Sequence, residues 1–301
     1  MAGAVLIANP FATGVTERKL AEVQAVLEPL GGLETMLTRR RGHATELARD
    51  ACERGCDTIF VFSGDGTSNE VLNGIGPGAE VRLGFVPGGG TSVLPRALGL
   101  PRDPLAAARR LREAVRSGGT RRISLGRVNG RRFAFNSGVG FDAEAVRRFD
   151  ALGRREGGGR PGDARFLLTV AGMLWDHRFR YEPAAELVGV GPVAFAIASN
   201  CDVLTYAGPR ALRIAPQARF ELGLDLVAPQ AVARREVPRL AGYIFMGVER
   251  FRGDGVHYLH DIDRAELTCF RPMPLQADGE DLGDVEHVLF ECERDAVTVL
   301  V

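Results

Sequence analysis

The stretch TIFVFSGDGTSNEVLNGIG, residues 58–76, decides how the first half of this 301-residue chain is read. An apolar run rich in β-branched and aromatic residues ends at Ser63. Two glycines then flank a single acid, Asp65, and from Ser68 the sequence turns helical. A short apolar run bounded by turn residues reads as a buried strand. Gly64 and Gly66 let the backbone turn sharply and approach a ligand closely, and the helix that follows would aim its first N–H groups at an anion. The turn needs glycine; it does not need the acid. A carboxylate facing phosphate directly would be repelled. Asp65 makes sense if it holds magnesium, directly or through water, or takes a hydrogen bond or proton from a substrate. The structural alternative is an acid near a helix N-cap.

Working outward, strand-like and helical runs alternate. Residues 4–9, 33–38, 58–63 and 82–87 read as strands. Residues 16–30, with Thr16 as N-cap, 42–55, stopping at Gly55, the run from Ser68, and 103–118 read as helices. This order predicts a parallel sheet with helices on both faces, whose ligand lies at the carboxyl ends of the strands. Four of those ends, at Asn9, Thr38, Ser63 and Pro87, run into polar or glycine-rich turns.

Beyond residue 120 the texture changes. Asn129-Gly130 between alternating runs is a hairpin signal. Short strands are expected at 193–199, 211–216, 224–229, 265–270, 273–278, 287–293 and 296–301, with helical segments around 163–177 and 235–247. The Gly- and Arg-rich stretch 153–163 reads as a mobile loop. The fold expected is therefore α/β: a parallel-sheet nucleotide domain over 1–122, completed by a C-terminal strand 294–301, followed by a β-rich sandwich domain over 123–293, with the active site in the cleft between them.

Bulk properties narrow the chemistry. Formal net charge is zero, which gives no argument for nucleic acid. Lys19 is the chain's one lysine, so no GxxxxGK[ST] phosphate loop exists, and a bound phosphate must be met by backbone N–H groups, arginine or a metal. The five cysteines make neither a CxxC pair nor a disulfide framework. No run reaches the roughly 20 apolar residues of a membrane span, and the apolar N-terminus lacks the basic flank of a signal peptide. A cytoplasmic setting follows as the expectation.

Two further turns join the first. PGGGTSVLPRALG, residues 87–99, repeats strand, glycines, threonine and helix, and adds Gly90 and Thr91 opposite Thr67. LQADGEDLGD, residues 275–284, places Asp278 and Glu280 around Gly279. Alone this is a common hairpin turn. Phosphoryl transfer to a hydroxyl needs a carboxylate to receive the proton and a cation to spread charge on the phosphates, and such a turn could supply the first. The five histidines show no metal-ligand spacing, and HYLH, residues 257–260, reads as a solvated turn.

Taken in order, ANPFATG (8–14), Thr38 with GHATELA (42–48), SGDGTSNEVLNG (63–74), PGGGTSVLPRALGLP (87–101), FNSGVGFDAEAV (135–146), YAGPRALRIAPQARFELGLDLV (206–227) and LQADGE (275–280) resemble the diacylglycerol kinase catalytic-domain family. The glycine-aspartate-glycine turn alone is shared with NAD kinases and phosphofructokinases; the ordered set is specific. The resemblance implies ATP and Mg2+ as cofactors. It implies nucleotide contacts from Asn9, Thr38, Gly64, Asp65, Gly66, Thr67, Ser68, Asn69, Glu70, Gly90 and Thr91. It puts Asp278 and Glu280 at the catalytic base position, with the choice between them open, and a structural magnesium on Asp225 with the carbonyls of Leu222 and Val227. The sequence departs from the family in one extra residue in the first turn, Ser92-Val93 for Asn-Asp, Pro95 for alanine, Ser63 for the leading glycine, and ELG (221–223) for Asp-Asp-Gly.

The function expected is thus an ATP- and Mg-dependent lipid kinase, diacylglycerol to phosphatidic acid, with Asp65 organising magnesium and ATP. Sphingoid or other lipid-alcohol kinases, NAD kinase and a non-catalytic nucleotide- or lipid-binding protein are the alternatives. The expected partner is the lipid substrate, with peripheral contact at the inner membrane face through FLLTVAGMLW (166–175) and the Arg-rich 147–165 region. No nucleic acid is expected, and a homodimer is left open.

Overall fold

The computed structural model describes residues 3–153, 163–246 and 255–301. Most of the loop expected to be mobile, 153–163, and the arginines in it at 154, 155 and 160 lie outside the described residues. The chain forms two compact units, divided after Ile123, with the last residues, Asp295–Val301, returning to the first unit.

In the first unit β1 (Ala4–Ala8), α1 (Glu17–Leu27), β2 (Leu33–Leu37), α2 (His43–Glu53), β3 (Thr58–Ser63), α3 (Asp65–Gly74), β4 (Arg82–Pro87), α4 (Val93–Ala97) and α5 (Pro104–Ser117) follow one another. The strands pair in parallel in the order β4-β3-β1-β2. β1 and β3 are buried along their whole length, which is why their sequences run apolar without alternation. Phe60, Phe62, Leu6, Val23, Leu27 and Leu111 close the core on one face. Thr16 caps α1 as expected, and Asp103, the first residue of the helix expected over 103–118, caps α5, each through a backbone N–H group three residues on. The helix after β3 starts at Asp65 rather than Ser68. Glycine at position 66 costs propensity, but a first turn tolerates it.

The second unit holds β5 (Thr120–Val128, starting in the first unit), β6 (Arg131–Phe133), β7 (Asn136–Val139), α6 (Phe141–Ala151), α7 (Asp163–Asp176), β8 (Ala185–Leu187), β9 (Gly191–Val193), β10 (Ala196–Ser199), β11 (Val203–Ala207), β12 (Arg210–Arg213), β13 (Leu224–Pro229), α8 (Val237–Met246), β14 (Val256–Ile262), β15 (Arg264–Ala277) and β16 (Glu280–Leu300). Antiparallel pairs run β14-β13-β10-β7-β15-β16. Four expected short strands are two long ones. Bulges between Thr268 and Met273 and between Pro274 and Gln276 mark the breaks that the prolines suggest in sequence. The end of β16 pairs in parallel with β4 through Thr298 and Val299. HYLH lies in a strand, β14, and is not a turn: the strand is partly buried along most of its length and its pairing with β13 shifts register, so no clean alternation marks it.

Candidate active site

β3 delivers the chain to Gly64, the extended N-cap of α3, and no side chain caps that helix. Its own first residue turns away. Asp65 Oδ2 accepts from the Val93 N–H at 2.9 Å, and Oδ1 accepts from the Leu94 N–H at 3.0 Å. These N–H groups open α4, whose N-cap, Ser92, is left-handed at φ 48° and contributes no side-chain cap. Asp65 therefore caps the helix of the next βα unit. Both oxygens of the carboxylate expected to hold magnesium are engaged with backbone. The contact is charge-assisted and lies at a helix N-terminus, where an anion is favoured.

The glycines divide into two kinds. A Cβ on Gly89 would lie 2.8 Å from the Gly64 Cα, one on Gly88 3.0 Å from the Ser63 Cα, and one on Gly14 2.8 Å from the Gly88 carbonyl oxygen. Three turns thus touch backbone to backbone, and Gly14 N–H donates to Gly88 O at 2.8 Å. Gly66 and Gly90 differ: a Cβ on either would meet no protein atom within 4 Å, and neither has a positive φ. Neither the packing nor the backbone conformation asks for glycine there. Ser63, in the place of the family's glycine, keeps a buried hydroxyl without a partner among the described residues.

The other expected nucleotide residues knit the same rim. Asn9 Nδ2 donates to Thr67 Oγ1 at 2.9 Å, while Asn9 Oδ1 accepts from the Phe11 N–H at 2.9 Å, so the first turn is tied to the Asp65 turn. Thr38 is buried at the end of β2, its N–H on Ala8 O. Glu70 reaches α2, accepting from Gly42 N–H at 2.8 Å and Ala44 N–H at 3.2 Å. It repeats for α2 what Asp65 does for α4, and this use was invisible in sequence. Ser68 and Asn69 are buried and bond within α3, to the Gly64 carbonyl and to the Asn73 amide. The Thr91 carbonyl accepts from Arg96 Nη1 at 3.3 Å, which puts an arginine that the sequence reading passed over beside the second glycine loop.

In the second unit the acidic turn separates its two carboxylates. Asp278 is buried at φ 49°. It accepts backbone N–H groups from Ala134 at 2.6 Å, Phe135 at 2.9 Å and Asn136 at 3.3 Å. It fastens the start of β7 and has little left for a substrate. Glu280 keeps 17% of its side chain exposed and pairs with Arg131. Behind the turn, Gln276 accepts from the Gly279 N–H at 2.9 Å and donates to Asn136 Oδ1 at 2.9 Å and to Asp142 Oδ2 at 2.5 Å. Burial pushes the Asp142 carboxyl up to about 6, against the lowering effect of the Gln276 amide. Arg147 clamps Asp281 and Asp284, and the first of these contacts holds the Asp281 carboxyl below the usual range. Asp142 and Gln276 lie within the stretches 135–146 and 275–280 but nothing in the sequence singles them out there, Arg131 lies in neither, and their positions in the fold reveal all three.

At the place of the expected metal site the Asp225 carboxylate has protein partners. Asp225 is fully buried in β13, accepting from Tyr258 Oη at 2.5 Å, pairing with His260 Nδ1 at 2.7 Å and accepting from the Asp261 N–H at 3.0 Å. Val227 is held in the ladder opposite Ile197 and Tyr258, and the Leu222 N–H bonds Arg219 O. Asp261, which accepts from Gly223 N–H, pairs with Arg294. A histidine and a tyrosine thus satisfy the carboxylate where a cation was expected. Among the described residues no group of three or more His, Cys, Asp or Glu is placed to hold a metal ion.

Residues 3–128 match the family model of the diacylglycerol kinase catalytic domain. The diacylglycerol kinase of Bacillus subtilis (strain 168) is 37% identical over 143 residues, 46% of this chain and 46% of that protein, so the match spans about half the relative's length. A Chromohalobacter salexigens protein named "Probable lipid kinase YegS-like" is 28% identical over 282 residues, 87% of this chain and 84% of its own. The fold is that of a crystal structure described as a diacylglycerol kinase from Bacillus anthracis str. Sterne, with a TM-score of 0.72 at 18% identity over 99% of this chain and 96% of that one. The turns built around Gly64, Gly89 and Asp65 all lie within residues 3–128, the segment that matches the diacylglycerol kinase catalytic domain, and the relatives this chain resembles are named diacylglycerol kinase and lipid kinase.

Proposed function

We propose that the protein transfers the γ-phosphoryl group of ATP to a lipid hydroxyl, with diacylglycerol as acceptor and phosphatidic acid as product. The observation that carries this reading is the pair Gly66 and Gly90. They sit in open space, whereas a Cβ on Gly88, Gly89 or Gly14 would come within about 3 Å of neighbouring backbone. A bare backbone facing open space beside an uncapped helix N-terminus fits phosphate oxygens. Asp65 contributes by fixing the second glycine loop against its own turn, and Asn9 and Thr67 by fixing the turn after β1. Magnesium, bound with the nucleotide, would supply charge neutralisation on its phosphates.

Of the two acids in the distant turn, Glu280 is the base. It is partly exposed, and its partner Arg131 is a side chain that can exchange, whereas Asp278 is spent on three amides. The acceptor hydroxyl gives its proton to Glu280 as its oxygen bonds to the γ-phosphorus, and ADP leaves with the electrons of the broken P–O bond. The test is incubation with γ-labelled ATP, magnesium and a panel of lipid alcohols that includes sphingoid bases, with NAD as a separate acceptor. The expected result is label in phosphatidic acid. Label in a sphingoid base alone would change the acceptor, label in NADP would replace the reading, and retained ATP binding without transfer to anything would favour a non-catalytic binding protein.

A further inference from the structure

The turn that carries Glu280 is held from behind by the side chain of a residue just before it. Ala277 and Glu280 pair across the end of the β15–β16 hairpin. The two residues between them, Asp278 and Gly279, have φ of 49° and 75°. Positive φ at both central positions makes a type I′ turn. The Gly279 N–H, in the middle of that turn, donates to Gln276 Oε1 at 2.9 Å, so the Gln276 side chain folds back over the turn that follows it.

The direction of the Gln276 amide is fixed by its other partners. The residue is 1% exposed. Its Nε2 donates to Asn136 Oδ1 at 2.9 Å and to Asp142 Oδ2 at 2.5 Å. Asn136 presents its oxygen there because its Nδ2 donates to the Leu204 carbonyl at 2.8 Å, and an ionised carboxylate can only accept. Two acceptors on one side leave the amide oxygen on the side of Gly279. Turned over, the amide would set its NH2 group against the Gly279 N–H and its oxygen against two others.

Asp142 is shaped into this network. It lies in the first turn of α6, where an acid is ordinarily placed toward the N–H groups of its own helix. Among the described residues its hydrogen-bond partner is instead the Gln276 amide. A Cβ on Gly138 would lie 2.6 Å from Asp142 Oδ2 and 3.0 Å from the Asp142 Cβ. Gly138 has no positive φ, so what asks for glycine in β7 is the room that Asp142 takes. A bare strand position, an acid turned away from its helix and an amide of fixed direction thus converge on one peptide, immediately ahead of Glu280.

We infer that Asp142 and Gln276 are positioning residues for the transfer step: by fixing the Gly279 peptide they hold Glu280 where the acceptor hydroxyl meets it. The inference rests on Glu280 acting as the base, and it asks neither residue to touch the reactants.

Transfer from γ-labelled ATP to diacylglycerol in detergent micelles, measured with full-length protein, tests it. Gln276→Met keeps the volume and removes the amide. It should lower kcat about ten- to a hundredfold, the cost of a small misplacement of a catalytic group, with KM for ATP and diacylglycerol unchanged. Asp142→Leu should match it, and Asp142→Asn, which keeps an acceptor beside Nε2, should recover most of the rate. Gly138→Ala removes no member of the network but displaces the Asp142 carboxylate, and should lower kcat in the same way. Should Gln276→Met fail to fold, as its thermal midpoint would reveal, the Asp142 pair and Gly138→Ala carry the same test. In a Glu280→Gln background, Gln276→Met or Asp142→Leu should add little further loss, a coupling that a merely structural role would not show. Losses that multiply in the double variant, network variants at the parental kcat, or a loss confined to KM would overturn the inference while leaving Glu280 as the base. A parent that labels no lipid, or Glu280→Gln at the parental rate, would overturn the reading beneath it and the inference together.

Discussion

The Asp65 turn and the Asp278 turn solve the same problem in different surroundings. Each places an acid where sequence alone suggests chemistry, and each acid is spent on backbone amides of a distant segment. Asp65 takes two N–H groups from α4, 28 and 29 residues away in sequence, and Asp278 takes three from the start of β7, 142 to 144 residues away. What differs is the neighbour left to act. Beside Asp65 it is backbone, the open glycines 66 and 90. Beside Asp278 it is a side chain, Glu280. In both places the acid that draws the eye holds backbone, and in the proposed function a plainer residue next to it meets the substrate.

The largest stability effect should come from Asp278→Ala. It leaves three amides in a buried turn without their acceptor and should cost roughly 3 kcal/mol or more. Asp65→Ala should cost less, about 2 kcal/mol, as the loss of a charged cap, but should also loosen the second glycine loop and weaken nucleotide binding. Denaturant unfolding and nucleotide titration of both variants check the order; Asp65→Ala with parental stability would break the capping role.

The glycines allow a finer test. Gly89→Ala forces a methyl into the Gly64 backbone and should destabilise. Gly66→Ala meets nothing and should stabilise α3 by up to about 1 kcal/mol, from helix propensity, while ATP affinity falls at least tenfold. Stability and affinity moving in opposite directions is an outcome that a purely structural glycine would not give.

The smallest effect concerns Asp142. Its carboxyl is raised from 3.8 to about 6 by burial, so between roughly pH 4 and 6 the folded chain holds a proton that the unfolded chain releases. The group's contribution to stability is present below that window and is lost as pH rises through it. Asp142→Asn should flatten the thermal midpoint over pH 4–6; an unchanged slope would show that the carboxyl is ionised throughout.

Much of the first unit was legible because its cues are local. Apolar runs marked β1, β3 and β4, Thr16 announced its helix, and glycine clusters marked the turns. The uses of Asp65, Glu70 and Asp278 were not legible, because their partners are backbone N–H groups, which every residue except proline carries and no motif records. The partners of Asp225 were not legible either: Tyr258 and His260 come from β14, whose HYLH reads as a turn in sequence. Prolines 272 and 274 split one strand into two on paper, since a bulge and a strand end carry the same residues.

The central claim is that the carboxylate beside Asp278 drives phosphoryl transfer to a lipid hydroxyl. Transfer of label from γ-labelled ATP to diacylglycerol, measured for the parent and for Glu280→Gln with nucleotide binding and thermal midpoint recorded alongside, tests it most directly. The account predicts phosphatidic acid from the parent, and from Glu280→Gln a rate lower by about 10²–10⁴-fold, the usual worth of a positioned base, with binding and stability kept. A Glu280→Gln variant that transfers at the parental rate would contradict it.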